Sequence, residues 1–379
     1  MIAQLNIDDI GSLLPYGILL LVYFLLSFHS ELQKNRFFAV PVLGVLLFFV
    51  GLRGAMTPDM QRYREMYENS KTMDFNSIEP SFLLISRFLN AMRLDYHALF
   101  FTYSFITLFF LYLGIKNYTH HVKLSLLLYI LLPGCFLNMF VEMREVCAVS
   151  IAFYATSLSN RKDIKLRMPL FLALVALSAS FHYSAMLYWA IVLMSYKFIT
   201  KPHSKKIYMS LLIGTLLIPT SAFVGAINLF ALPLIPPRYH GTIGMFVQAE
   251  TNLAESGQLL KTLIYVIVAV CFVYWQSPMQ NKDDDYLPLN QFVLGVVILN
   301  LTRSFADISR LSYFFVIYQI ILFPMVLGRV KDGIQRVIAS YVVVLFYLAQ
   351  FIWGLFYYSE EAGNYPFLHY KNAILSILR

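Results

Sequence analysis

Charge is scarce in this sequence. Only 13% of its 379 residues are Asp, Glu, Lys or Arg, while 59% are hydrophobic. A soluble domain carries about a quarter charged residues, so this composition excludes an ordinary water-facing surface. Cysteine is scarcer still. Cys135, Cys147 and Cys271 all lie inside apolar runs, too few for a disulfide framework or a thiolate metal site. The opening segment MIAQLNIDDIG has two acids and no Lys or Arg. That is the reverse of a secretory n-region, so the first apolar run is expected to stay as a membrane span. Low-complexity linkers and repeats of solenoid length are missing too. A single integral membrane domain, 1–379, is therefore expected.

What the chain has instead is a succession of apolar runs near the length a spanning helix needs, about 20 residues. About twelve are expected: Leu13–Ser30, Phe37–Gly51, Ala98–Ile115, Leu124–Phe140, Met143–Ser159, Met168–Phe181, Ser184–Ile199, Ile207–Leu229, Gln258–Trp275, Leu289–Thr302, Ser309–Gly328 and Val337–Tyr358. The fold class is all-α and polytopic. The net charge of +8 is dispersed between the runs, which fits the positive-inside pattern and an anionic lipid surface, not nucleic acid. Lys34, Arg36, Lys116, Lys123, Arg161, Lys162, Lys165, Arg167, Lys201, Lys205, Lys206, Arg329, Lys331 and Arg336 then share one face, the cytoplasmic one. The run Asp283–Asp285 beside Lys282 reads as a solvated loop, not a metal-nucleotide site.

Three longer segments fall on the opposite, outer face: 52–97, 230–257 and 359–379. The first is expected to be structured. Thr57, Pro58 and Asp59 form a helix start. In EPSFLLISRFLNAMRL, Phe82, Leu83, Ile85, Phe88, Leu89 and Met92 are expected to oppose Arg87, Asn90 and Arg93, giving an amphipathic helix that lies in the interface.

Against this background each outer-side or membrane-depth charge stands out, because an ionisable group there is paired, cavity-facing or functional. The arginines are Arg53, Arg62, Arg64, Arg144, Arg238, Arg303 and Arg310. In NMFVEMREVCAVSIAFYA, Arg144, Ala148, Ile151 and Ala155 share one helical stripe, whose small residues would leave room beside the guanidinium. Glu142 and Glu145 flank it. Arg303, Asp307 and Arg310 stand at i, i+4 and i+7, two cations to one anion. Arg53 sits between Gly51–Leu52 and Gly54 at a span end. His182 lies between two short runs, and Asp59 and Glu79 lie in the outer segment. Each has a plain structural reading: a boundary ion pair, a salt-bridge ladder, a snorkelling Arg, a structural His. Together they describe an outward pocket of Arg forks suited to a phosphate or diphosphate, with Tyr rings for sugar faces.

The stretches FFVGLRGAMTPDMQRYREMY, IEPSFLLISRFLNAM, MFVEMREVCAVSIAFYA, SASFHYSAMLYW and SRLSYFF, in this order, resemble the EpsG-type polysaccharide polymerase family, which is similar to the Wzy-type O-antigen polymerases. One departure is MRE, where many relatives read MRQ. The resemblance implies a GT-C-like glycosyltransferase of the bacterial cytoplasmic membrane. Its substrate would be oligosaccharide repeat units on undecaprenyl diphosphate, joined at the outer, periplasmic face without nucleotide sugar, cofactor or metal. Under that reading Arg144, His182, Asp59 and Glu142 are the catalytic candidates, with His182 favoured as base. Arg53, Arg303 and Arg310 are diphosphate contacts, and Glu79 and Asp307 are further candidates. The expected partners are the lipid-linked glycan and membrane lipid, with a chain-length regulator left open. The alternatives are an O-antigen ligase, a membrane O-acyltransferase using His182, and a flippase or transporter for lipid-linked glycans.

Overall fold

The computed structural model describes residues 12–28, 39–54, 57–75, 78–158, 167–220, 222, 255–275, 286–303, 306–361, 367 and 370–373. Within them the chain is almost entirely helical, and no strand longer than an isolated bridge occurs. Where the expected apolar runs are described, they fall on helices. The helices divide into two compact units, one of Met1–Ala185 with Val330–Arg379 and one of Met186–Arg329.

The first unit holds α1 (Leu14–Phe28), α2 (Ala39–Gly51), α3 (Pro58–Glu68), α4 (Pro80–Ala91), α5 (Tyr96–Tyr118), α6 (Val122–Leu131), α7 (Pro133–Phe136), α8 (Asn138–Val141), α9 (Met143–Ser157) and α10 (Arg167–Phe181). At its C-terminal end Gly333–Glu361 adds a long helix. The core pair is α5 against α9. Gly114 makes their close approach possible, since a Cβ there would stand 2.5 Å from the Phe153 ring. Ala148, Ile151 and Ala155 are completely buried. The small-residue stripe of α9 is thus a packing surface, not the room beside Arg144 that its spacing led us to expect.

Among the described residues, three helices are long and apolar enough to cross a membrane on their own: Tyr96–Tyr118, Arg310–Leu327 as a chain of short segments, and Gly333–Phe356. The expected run Leu124–Phe140 is bent by 82° at Leu132–Pro133. Proline supplies no amide hydrogen to the preceding turn and forces its predecessor out of helical geometry. The break is tolerated at depth because α6 and its sequel are buried in protein. Six further apolar helices span 10–17 residues. Ile334, Val337, Ile338, Tyr341, Val342 and Leu345 are exposed along the last long helix, a lipid-facing flank that would not survive in water.

Residues 57–75 and 78–97 carry α3 and α4. Thr57 caps α3, its hydroxyl accepting from the Met60 amide at 3.2 Å. The amphipathic reading of α4 needs correction. Phe82, Leu83, Ser86 and Leu89 face inward, while Leu84, Phe88 and Met92 are exposed, so the helix packs on the core and shows a second apolar stripe outward. Arg87 and Asn90, expected on a solvent face, instead donate to the carbonyls of Ser70 and Tyr67 at 3.0 and 2.9 Å. They lock α4 to the end of α3.

The second unit includes α11 (Ser184–Met194) from Met186 onward, α12 (Tyr196–Ile199), α13 (Lys205–Leu217), α14 (Glu255–Trp275), α15 (Leu287–Thr302), α16 (Ala306–Ser309), a 3-10 turn (Arg310–Ser312), α17 (Tyr313–Val316) and α18 (Gln319–Leu327). Two buried asparagines on α15 pin it. Asn290 donates to the carbonyls of Phe198, Ile199 and Lys201, and Asn300 to those of Leu212 and the Thr215 hydroxyl. Such amide staples hold helices where lipid supplies no hydrophobic drive for association.

α4 ends in a Schellman turn. Leu94 N–H returns to the Leu89 carbonyl and Arg93 N–H to that of Asn90. The left-handed position is Arg93, at φ 59°, where glycine has no Cβ penalty. Arg93→Gly is expected to stabilise the protein by about 1 kcal/mol, read as a raised unfolding midpoint in detergent.

Candidate active site

Glu142 ends α8 and opens α9 with a non-helical backbone (φ −108°, ψ 46°). This break puts Arg144 and Glu145 in the first turn of α9. The helix dipole favours Glu145 there and opposes Arg144, so the arginine needs a carboxylate. Glu79 supplies it. Pro80 opens α4 and holds Glu79 extended at the N-cap (φ −59°, ψ 141°), where the dipole of α4 also favours its charge. Arg144 Nη1 donates to Glu79 Oε2. The Arg144 side chain keeps 20% exposure and that of Glu79 7%.

His182 stands at the break between α10 and α11. Ser81 on α4 donates to the Ser180 carbonyl at 2.7 Å, and this link sets Glu79 beside His182. The second Glu79 oxygen, Oε1, lies 3.9 Å from His182 Nε2. On the other side of the ring, Nδ1 is 2.6 Å from Ser184 Oγ, which donates to Glu145 Oε1 at 3.1 Å. One connected set thus runs Arg144, Glu79, His182, Ser184, Glu145.

The Arg144 guanidinium lies over Tyr63 (5.3 Å) and Phe82 (5.9 Å), a cation–π seat. Burial raises the Tyr63 hydroxyl above its ordinary pKa, with Arg144 pulling it down and Asp59 and Glu142 pushing it up. Tyr63 is therefore neutral at pH 7, and its electrostatic partners include both remaining carboxylate candidates, Asp59 and Glu142.

Other candidates fall elsewhere. Arg53 has 0% exposure. Its Nη1 donates to the Val50 carbonyl (2.6 Å) and the Ser104 hydroxyl (3.2 Å), and it lies over Phe100 at 4.7 Å. Nε and Nη2 are buried without a hydrogen-bond partner. Its backbone pairs with Asn372, and the 370–373 segment covers it. Arg62 is exposed, and exposed Arg64 pairs with Glu68 at 2.9 Å. Arg303 gives Nη1 to the Asn300 carbonyl and Nη2 to that of Ile218. It caps the C-terminus of α15, whereas Arg310 opens a 3-10 turn after α16. The i, i+4, i+7 ladder with Asp307 therefore does not run along one described helix. Arg238, residues 230–254, the Asp283–Asp285 run and the Asp307 side chain lie outside the described residues.

Sequence reasoning found Arg144 and His182 but missed Tyr63, Phe82 and Ser184, and left Glu79 peripheral. Pro80 was the available signal for Glu79, since it places the preceding residue at a helix start. For Ser184 it was the H-x-S spacing ahead of an apolar run.

A family model of the EpsG family matches residues 35–372, which takes in every residue of this cluster. The chain belongs to the EpsG family. No curated protein and no solved structure matches it. Family membership implies a polysaccharide polymerase-type function, glycosyltransferase-like, in a membrane protein.

Removing one partner of a buried pair leaves an uncompensated charge, at a cost of about 3 kcal/mol. Glu79→Ala is expected to lower the unfolding midpoint accordingly. The double variant Glu79→Gln with Arg144→Met should recover most of that stability while staying inactive, which thermal unfolding alongside a polymer assay will read.

Proposed function

We propose that this protein joins undecaprenyl-diphosphate-linked oligosaccharide repeat units at the outer face of the bacterial cytoplasmic membrane, as a polysaccharide polymerase. The observation that carries this reading is the convergence of an arginine fork, a carboxylate and an imidazole at three helix ends in an EpsG-family membrane protein.

The chemistry follows from the groups present. A sugar hydroxyl of the acceptor unit attacks the anomeric carbon of the donor chain. The new C–O bond forms as the bond to diphosphate breaks, and the electron pair leaves on the diphosphate oxygen. Arg144 is the cation for that growing charge, and its partial exposure leaves it open to a ligand. A preorganised donor of this kind contributes about 10²–10³-fold because its interaction strengthens in the transition state. His182 Nε2 takes the hydroxyl proton, a contribution of about 10²–10⁴-fold. Glu79 holds both groups and stabilises the imidazolium so formed. Asp59 and Glu142, which act electrostatically on Tyr63, are the alternative bases.

Arg53, Arg303 and Arg310 remain diphosphate contacts only on the sequence argument. Arg53 is sealed and Arg303 is committed to backbone carbonyls, so the weight of the proposal rests on Arg144. The partner is the lipid-linked glycan in its bilayer, and the scheme uses no cofactor. A transporter for the same glycan would need the Arg fork but no base.

Purified wild type, Arg144→Ala and His182→Ala would be given undecaprenyl-diphosphate repeat units without nucleotide sugar or divalent metal, and the products run on a gel. A ladder is expected from wild type. Both variants should slow by at least 10²-fold, with glycan binding retained in His182→Ala. No ladder from folded wild type supplied with its native repeat unit would sink the proposal. Full activity in His182→Ala would remove the imidazole from the chemistry.

A further inference from the structure

We propose that Glu145 and Ser184 are a positioning relay that holds the His182 proton on Nδ1 and turns the acceptor nitrogen, Nε2, toward the Arg144–Glu79 pair. The inference rests on His182 acting as the base, and it assigns a role to two residues that touch no reacting atom.

The argument begins with proton counting. A serine hydroxyl has one proton to give. Here it goes to Glu145 Oε1 at 3.1 Å. Glu145 is 3% exposed and sits in the first turn of α9, where the dipole favours its ionised, acceptor-only form. With its proton committed, Ser184 Oγ accepts, and the donor 2.6 Å away is His182 Nδ1. Nε2 then carries the lone pair. The Ser184 amide also lies 3.3 Å from Nδ1, a contact that would favour the opposite tautomer. It is the longer of the two, and the short bond in a chain ending on a carboxylate prevails.

The same chain serves the charged state. After Nε2 takes the hydroxyl proton, both ring nitrogens donate: Nδ1 through Ser184 to Glu145, and Nε2 toward Glu79 Oε1. The titratable groups facing the ring are Glu79 at the start of α4 and Arg144 and Glu145 on α9. Tyr103 of α5 is within electrostatic reach of Glu79 and Arg144, and Tyr183 beside the ring is exposed. Glu145 is the carboxylate on the Nδ1 side of the ring. Removing its charge makes the imidazolium harder to form, so the acidic limb of the rate profile moves to lower pH.

Solid-state ¹⁵N NMR on histidine-labelled protein, with His182 assigned by its loss in His182→Ala, reads the tautomer without any turnover. Wild type is expected to show protonated Nδ1. Ser184→Ala should shift the signal toward protonated Nε2 and lower kcat about ten- to a hundredfold, with KM unchanged within twofold. Glu145→Gln keeps an acceptor oxygen without the charge. It should retain most of kcat while its acidic limb falls by about half a unit to two units. A wild-type ring protonated at Nε2, or an acidic limb that does not move in Glu145→Gln, would overturn the relay. A protonated Nδ1 in a folded wild type that makes no polymer would sink the polymerase reading and leave the relay standing.

Discussion

The Arg144–Glu79 pair sets the terms for the helix ends around it. A guanidinium in the first turn of a helix opposes the dipole, and at 20% exposure it has little water to share its charge. Only a carboxylate held close and nearly dry makes it tolerable. The local devices around it serve that end. Glu142 breaks the chain so that Arg144 starts a helix. Pro80 turns Glu79 into a second helix start. Ser81 ties that helix to the end of α10, and Tyr63 and Phe82 give the cation a π surface. Hydrophobic replacement of such a pair costs little stability in general, which makes stability a poor reason for its presence and chemistry a better one.

Elsewhere the same scarcity of charge forces polar atoms into prescribed places. Helix breaks at depth occur where protein covers them, as at Pro133, whose ring packs on Gly354. Asn290 spends its amide hydrogens on backbone carbonyls at the end of α12, which the helix would leave unpaired, and Asn300 ties α15 to the Leu212 carbonyl and the Thr215 hydroxyl of α13. The C-terminal residues do the reverse service, offering backbone to backbone. Gly54 donates to the Lys371 carbonyl and Ala373 to that of Leu52, while Tyr370 stacks on Phe49 at 4.2 Å. The 370–373 segment thereby closes the C-terminal end of α2 over Arg53.

Local features were legible in the sequence and long-range pairings were not. The Thr57–Pro58–Asp59 helix start depends on neighbours within three residues, and it holds atom by atom. Arg144 and His182 were visible because charge and imidazole are rare in such a chain. Glu79 lies 65 positions from Arg144 and Asn372 lies 319 from Arg53, and nothing in composition or period announces either partnership. Periodicity also misled at α4. It assigned the helix a single apolar face when it has a buried stripe and an exposed one. The error comes from reading angle around an axis without knowing what packs against it.

The contrast between Arg53 and Arg144 separates a sealed cation from an open one. Both are arginines at helix ends, and both lie against aromatic rings. Arg53 is closed off by the 370–373 segment, and its guanidinium donates to the Val50 carbonyl and the Ser104 hydroxyl. Arg144 keeps a fifth of its side chain open, next to a carboxylate whose other oxygen approaches an imidazole. The imidazole lies on the far side of the same carboxylate, so cation, carboxylate and ring form one preorganised cluster.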